Sequence, residues 1–419
     1  MALQSLSNIR VIDLSHVIAG PTSSMYLAEL GADVLKVENP RAPDVMRFVE
    51  RRGENVASTT FATLNAGKKS LAMDLKHPRL RAALLDLIRT ADVFIENFRP
   101  GVAERLGLGY QALRAVNSRL IYLSISGHGN TSAWRSHGAY DHVVQALTGM
   151  MMVNGEEADP PSKVGFPVID SATGMMGAMA VLAALHQRMS SNEGCHVNAS
   201  LSHSALQLMR PTVARVLASD QDDPRRGNFG FSGSPGSATF KCKDGWIAVA
   251  ANTRAQFIKL CAALGLDSLP ANPALVSAVG HGTSTNVAAV DPGEVHRLLT
   301  KAFSRRSATL LEDELNESGV PAARVRGLRE FLREARINQH VDLGAGKVGD
   351  AAEGVPRLGT GLTGLVQLSL PPAPVLGADT ETVLRSVGFQ IDEISALERE
   401  GSIVVARAPS TATEVLKSK

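Results

Sequence analysis

The apolar run Ile9–Leu14, a helix-compatible stretch Thr22–Leu30 and a second apolar run Asp33–Val37 follow one another at the start of this chain. Pro21 stands where a helix opens and Gly31 where it stops, the usual punctuation of a helix. Strand, helix and strand at this spacing form a βαβ unit, whose two strands run parallel. The pattern recurs: Leu80–Arg89 reads as a helix, Asp92–Ile95 as a strand, Gly101–Leu106 as a helix and Leu120–Ser124 as a strand. The N-terminal part therefore predicts an α/β fold around a parallel sheet.

Further along, Tyr140–Leu147 has helical spacing. Ser171–Met189 predicts a long helix whose small residues Gly174, Gly177, Ala180 and Ala184 let another backbone come close. Its low polarity predicts burial on most sides. Composition shifts at the polar stretch Asp220–Arg226 and the Gly/Ser-rich Gly227–Gly236. The chain is accordingly expected to divide into residues 1–226, a large α/β domain; 227–325, a smaller α+β domain; and 326–419, a return to the large domain with a polar tail. In the smaller domain a strand pair flanks Lys243-Asp244-Gly245, helices cover 254–264, 293–303 and 308–317, Ala322–Val325 is a strand and 268–291 is loop. Leu365–Leu370 reads as a strand of the returning segment.

Composition removes several functional classes. The 43 basic and 41 acidic residues leave a net charge of +2, with no basic block longer than Lys68-Lys69, which argues against a nucleic-acid surface. The N-terminus lacks a basic-then-apolar leader pattern. The longest apolar stretch, Met175–Leu185, falls short of the roughly 20 residues that span a bilayer, so no membrane partner is expected. Three scattered cysteines (Cys195, Cys242, Cys261) fit a reducing, cytoplasmic setting and make neither a disulfide framework nor a zinc ribbon.

Two glycine patterns fail as dinucleotide fingerprints. Gly359-Thr-Gly361-Leu-Thr-Gly364 precedes a strand and a Pro-Pro turn rather than a helix, and Gly107–Ala112 follows a helix rather than a strand. Asp170, in Phe166-Pro-Val-Ile-Asp-Ser-Ala-Thr-Gly174, stands at the start of the long helix. Its local reading is an N-cap, which the positive helix end keeps ionised. An accessible ionised carboxylate is also a competent nucleophile toward an activated acyl group. Of Tyr140-Asp141-His142, not all three side chains can face one way on a helix. Gly227–Gly236, which holds Gly230 and Gly233, is either an interdomain linker or a lid whose amides stabilise an oxyanion. Lys68, Lys69, Arg99 and Arg105 together could hold a tail of several phosphates.

Six blocks in order resemble the class III CoA-transferases, with α-methylacyl-CoA racemase as a cousin. They are Val11–Pro21, Leu30–Glu38, Asn65–Ser70, Glu96–Gly101, Tyr140-Asp141 and Asp170–Gly174, and the likeness continues through Gly319-Val-Pro321 and Leu376–Thr380. The resemblance implies a large Rossmann-like domain built from both termini, a small middle domain and a homodimer of interlocked chains. It implies that Asp170 is the nucleophile, that Asn97, Phe98, Arg105 and the stretch Asn65–Lys69 contact CoA, and that His16 and Val17 line the path of the thioester. Gly230 and Gly233 fall on the family's mobile glycine loop. The substrates implied are an acyl-CoA thioester and a free carboxylic acid, with no tightly bound cofactor.

The sequence also departs from the formyl-CoA transferase pattern. Ile18 replaces a Gln beside the acyl group, Gly138 stands where a nearby Lys is expected, and the loop reads Gly-Phe-Ser-Gly-Ser instead of a glycine run. Formate and oxalate fit this pocket poorly, and a larger or less polar acid fits better. Ile18, Tyr140, the 227–236 loop and Arg47 are the candidate selectors of the acyl group. Three rival readings are a racemase, against which Tyr140 in place of a His argues; a non-catalytic CoA-ester binder; and a nicotinamide dehydrogenase, disfavoured by both glycine patterns.

Overall fold

A computed structural model describes residues 5–49, 58–230, 232–279, 286–337, 347–348, 352–353 and 370–406. Its principal sheet uses β1 (Arg10–Asp13), β2 (Asp33–Glu38), β3 (Lys69–Met73), β4 (Val93–Glu96), β5 (Ile121–Ser126) and β6 (His196–Ser200). These six run parallel in the order β3-β2-β1-β4-β5-β6, with Val11 opposite Val34 on one side and Val93 on the other. This is the order of a doubly wound sheet, which turns back on itself between β1 and β4.

Alternation along each strand sends neighbours to opposite faces, and both faces are covered. Ile12, Leu35, Leu71 and Phe94 pack into one core with the Pro78–Ile88 helix. Val11, Val34, Val93 and Leu123 pack into a second core with the helices Ala19–Glu29 and Val168–Ser191. The last two helices meet backbone to backbone. Ser23 Oγ donates to Gly174 O at 2.8 Å, and a Cβ on Gly174 would lie 2.5 Å from Thr22 Cβ. The Val168–Ser191 helix is longer than its sequence signal, and an 18-residue window of it is long and apolar enough to cross a membrane. Half of that apolar window is buried within the fold, and Arg188 is tied by ion pair to Asp92.

The chain separates into two units, residues 1–150, 164–215 and 341–419 in one and 151–163 and 216–340 in the other. The second unit holds the antiparallel strands β7 (Ser237–Lys241), β8 (Trp246–Ala250) and β11 (Ala322–Arg324) in the order β11-β8-β7. It also holds a hairpin of β9 (Val276–Val279) and β10 (Asn286–Ala289), inside a stretch that reads as loop in sequence. Its core is formed by Phe240, Ile247, Phe257, Leu299 and Phe303. The unit reaches beyond the boundary expected near 325 because Arg324 and Arg326 pair with Glu330 and Glu334 on the Leu328–Ile337 helix and with Glu312. It starts before 227 and takes in 151–163 because Arg225 donates to the carbonyls of Met152, Glu156 and Asp159.

In the first unit, β12 (Lys347–Val348) and β13 (Ala352–Glu353) form a short antiparallel pair. β14 (Ile403–Val404) adds an antiparallel edge to β3. Leu370 is described, but the rest of the strand expected over Leu365–Leu370 and the Gly359–Gly364 pattern lie outside the described residues.

Candidate active site

In a doubly wound sheet, ligands bind beyond the carboxyl ends of the strands where the order reverses. Here the turns leaving β1 and β4 bound a cavity of about 220 Å³. Val17 and Ile18 line it from the first turn, Asn97, Phe98 and Arg99 from the second, and Tyr140 and Asp170 complete it. Seven side chains singled out in the sequence thus share one cavity. Arg135, His137 and Gly138 also line it, and sequence reasoning attached no role to Arg135 or His137.

Asp170 sits in the first turn of the Val168–Ser191 helix rather than ahead of it, and its side chain does not cap that helix. The cap is Asp141. Its Oδ2 accepts from the Ile169 amide at 2.7 Å and from the Asp170 amide at 3.0 Å. Its Oδ1 accepts from Gln145 Nε2 at 2.5 Å, and Gln145 Oε1 takes the Val164 amide at 2.8 Å. A carboxylate at a helix start satisfies donors that have no intrahelical partner. Here that carboxylate comes from an earlier helix, 29 residues upstream.

The chemical consequence reverses the expectation of a carboxylate kept ionised by the helix end. Burial, and then the nearby Asp141 charge, push the Asp170 carboxyl up to about 7. The two helix-start amides that would serve an oxyanion are occupied by Asp141. Ser171 N is also used, donating to Pro167 O at 3.1 Å.

The turn after β1 is held from three sides. Asn97 brackets His16, accepting from its amide at 2.9 Å and donating to its carbonyl at 2.7 Å. Lys36 Nζ donates to Ser15 O at 2.7 Å, and Asp44 accepts from the Val17 amide at 3.2 and 3.3 Å. Burial and the Lys36 charge hold His16 below the ordinary imidazole range, so it is neutral at neutral pH. Its ring lies 6.2 Å from that of Phe98. Glu96 at the end of β4 accepts from the Phe98 amide at 2.8 Å, and burial pushes its carboxyl up to about 7.

The expected phosphate cradle is not assembled as the sequence suggests. Lys68 is buried, with its Nζ donating to Ser24 Oγ at 2.7 Å, Asn65 Oδ1 at 2.9 Å and Pro21 O at 3.1 Å, and pairing with Asp13 at 3.3 Å. Its ammonium holds the underside of the Ala19–Glu29 helix and cannot reach a solvent-borne phosphate. Burial lowers Lys68 to about 8, although Asp13 opposes this. Burial alone would raise Asp13, but Lys68, Lys36 and two serine hydroxyls bring it down to about 2. Asn65 is likewise buried, bonded to Phe61 O and Lys68.

Lys69 pairs with Asp33 at 2.7 Å and lines a different cavity with Asp379. Arg105 is exposed on the short helix Val102–Arg105, and Arg99 alone of the four cations reaches the cavity beside Asp170. Arg47 grips Glu38 through two bonds of 2.8 and 2.6 Å, stacks on Phe61 and does not line the Asp170 cavity. Gly230 and Gly233 belong to the second unit. There the Gly230 amide donates to Ser237 O at 2.6 Å and the Gly233 amide to Gly230 O at 3.2 Å, so neither is spare for an oxyanion. Among the described residues no group of His, Cys, Asp or Glu is placed to ligate a metal.

Comparison with known proteins identifies the family. The sequence profile of CoA-transferase family III matches residues 6–380. The chain is 29% identical over 401 residues to succinyl-CoA:glutarate CoA-transferase of Mus musculus, covering 95% of this chain and 89% of that protein. It is 34% identical over 339 residues to succinate–glutarate CoA-transferase of Agrobacterium fabrum, covering 79% and 82%. A CAIB/BAIF family protein of Brucella suis superposes with a TM-score of 0.78 at 25% identity, covering 90% of this chain and 98% of that one. With a parallel-dominated α/β sheet, a carboxylate-bearing cavity at its switch point and this match over nearly its whole length, the chain belongs to CoA-transferase family III and is an enzyme that transfers coenzyme A.

Proposed function

We propose that the chain moves CoA from an acyl-CoA donor to a dicarboxylic acid, with Asp170 as the covalent relay. The observation that carries this reading is the placement of Asp170 in one cavity with the cationic Arg135 and Arg99, the imidazole of His137 and the apolar Val17, Ile18 and Phe98. A carboxylate in a half-dry cavity attacks a thioester, and a cationic arm holds the far carboxylate of the acid. The relatives named as succinyl-CoA:glutarate and succinate–glutarate CoA-transferases support the same class of acceptor.

An Asp170 oxygen adds to the thioester carbonyl, the C–S bond breaks and CoA thiolate leaves, giving a mixed anhydride. The thiolate then attacks the Asp170 carbonyl carbon. The donor acid departs as a carboxylate and an aspartyl-CoA thioester remains. The acceptor carboxylate displaces the thiolate, which attacks the second anhydride at the acceptor carbonyl. The new acyl-CoA forms and the Asp170 carboxylate is regenerated. Every intermediate is activated, so no external energy source is required, but each hydrolyses if water enters. Val17, Ile18, Phe98 and Leu201 supply the apolar part of the cavity wall.

Asp170→Ala abolishes transfer while the far-ultraviolet circular dichroism is kept. Acyl-CoA with hydroxylamine modifies Asp170 alone. Full transfer by the Ala variant ends the reading. Arg135→Ala raises KM for glutarate and leaves KM for a monocarboxylate of equal length unchanged. His137 beside Asp170 is the one observation that favours α-proton exchange instead. Deuterium uptake at the α-carbon without an acceptor acid would support that reading. We also propose a homodimer, with the exposed Met175 and Met179 of the Val168–Ser191 helix in its interface. Light scattering at the monomer mass would refute it.

A further inference from the structure

Val17 has a φ of +69°, in the left-handed region. For a β-branched residue this is a genuine outlier, because its Cβ crowds the backbone, and such strain persists only where its surroundings enforce it. Glycine would make the same turn without strain. Valine supplies a side chain, and that side chain lines the cavity of Asp170.

The enforcing group is the Asp44 carboxylate. Its two oxygens accept from the Val17 amide at 3.2 and 3.3 Å, from Met46 N at 3.0 Å and from Lys36 Nζ at 3.1 Å. The side chains of Asp44 and Lys36 are wholly buried. Asp44 is itself anchored by its amide, which donates to Glu38 Oε1 at 3.1 Å. Lys36 also grips Ser15 O and Asn97 brackets His16, so three side chains fix three consecutive backbone residues. Only at Val17 is the enforced conformation a strained one.

We propose that Asp44, backed by Lys36, is a positioning residue of the transfer site, holding Val17 in its left-handed conformation so that Val17 and Ile18 face Asp170 across the cavity. This rests on the transferase reading above. Without the Asp44 carboxylate, Val17 relaxes to negative φ and the rim facing Asp170 turns away.

The test uses the full-length chain as wild type, Asp44→Ala, Val17→Gly and Asp44→Ala/Val17→Gly. Steady-state kinetics with succinyl-CoA and glutarate accompany thermal melts. Asp44→Ala lowers kcat about ten- to a hundredfold, the range that relief of such strain allows. It also lowers Tm, because Lys36 is left buried and unpaired. Adding Val17→Gly restores part of the lost kcat, since glycine reaches positive φ without strain, while Tm stays low. A purely structural role for Asp44 gives no such separation. A double variant no faster than Asp44→Ala, or an Asp44→Ala enzyme with unchanged kcat, overturns the assignment. If Asp44→Ala does not fold, Asp44→Asn is read in the same series with the same criteria. A wild type that transfers CoA to no acid overturns the transferase reading and this assignment together. An active wild type without rescue overturns this assignment alone.

Discussion

Replacing Asp170 with Asn keeps the shape of the side chain and removes its titration. In the unfolded chain the Asp170 carboxyl titrates near 3.8, and in the folded chain near 7. Between those values the folded state retains a proton that the unfolded state has released. Stability therefore falls as pH rises, and the contribution present below 3.8 is lost through about 7. At about 1.4 kcal/mol per pH unit the full span is worth about 4 kcal/mol. Partial solvent access to the cavity reduces this to about 2–3 kcal/mol. Asn carries no such cost. The stability of Asp170→Asn relative to wild type should therefore grow by about 2–3 kcal/mol from pH 4 to pH 8 and then level off. Urea unfolding at each pH reads this directly, provided the slope m is the same for both proteins. A difference independent of pH, or one that shrinks as pH rises, would show that Asp170 is not held in a desolvated setting.

Asp141→Asn removes the charge that helps raise Asp170 while burial remains, so the acid limb of the kcat/KM profile moves to lower pH. At pH 6 the variant keeps about three- to tenfold more of its own plateau activity than wild type. A limb that stays in place would remove Asp141 from the electrostatics of the site. Lys68→Met leaves Asp13 deprived of a buried partner and should lower unfolding free energy by about 3–5 kcal/mol. In the same protein KM for the acyl-CoA should not change. A raised KM would mean that Lys68 reaches the ligand after all. Gly174→Ala drives a methyl into Thr22 and Ala19 O, at 2.5 and 2.7 Å, and should cost about 1–3 kcal/mol in chemical denaturation.

The parallel sheet was legible because its strands are short apolar runs punctuated by Pro21 and Gly31. The β3 strand was not, since Lys69-Ser-Leu-Ala-Met73 has little apolar signal of its own and is recruited by β2 on one side and β14 on the other. The β9–β10 hairpin escaped for a similar reason, being short and set among Asn, Pro and Gly. At the site, six ordered motifs located Asp170, but local spacing assigned it the wrong physical role. The true cap is remote in sequence, and no window around Asp170 contains it. Lys68-Lys69 read as a surface pair because charge usually means exposure. In the fold Lys68, just ahead of β3, turns into the Asp13 network, while Lys69, its first residue, pairs with Asp33 at the surface. Arg135 and His137 carried no motif, and only the folding of their loop over the β1–β4 crevice brings them beside Asp170.

The glycine seam between the helices Ala19–Glu29 and Val168–Ser191 carries one helix that begins at the cavity rim and another that bears Asp170. With Gly174 against Thr22 and Ser23 bonded across the seam, neither helix can slide without the other. The distance between rim and Asp170 is thereby inherited from the scaffold. Relatives that accept acids of different length on this scaffold must make their adjustments in the side chains that protrude from it. Laboratory selection for a new acceptor should accordingly enrich changes at positions such as 18, 135 and 140 and leave the seam untouched.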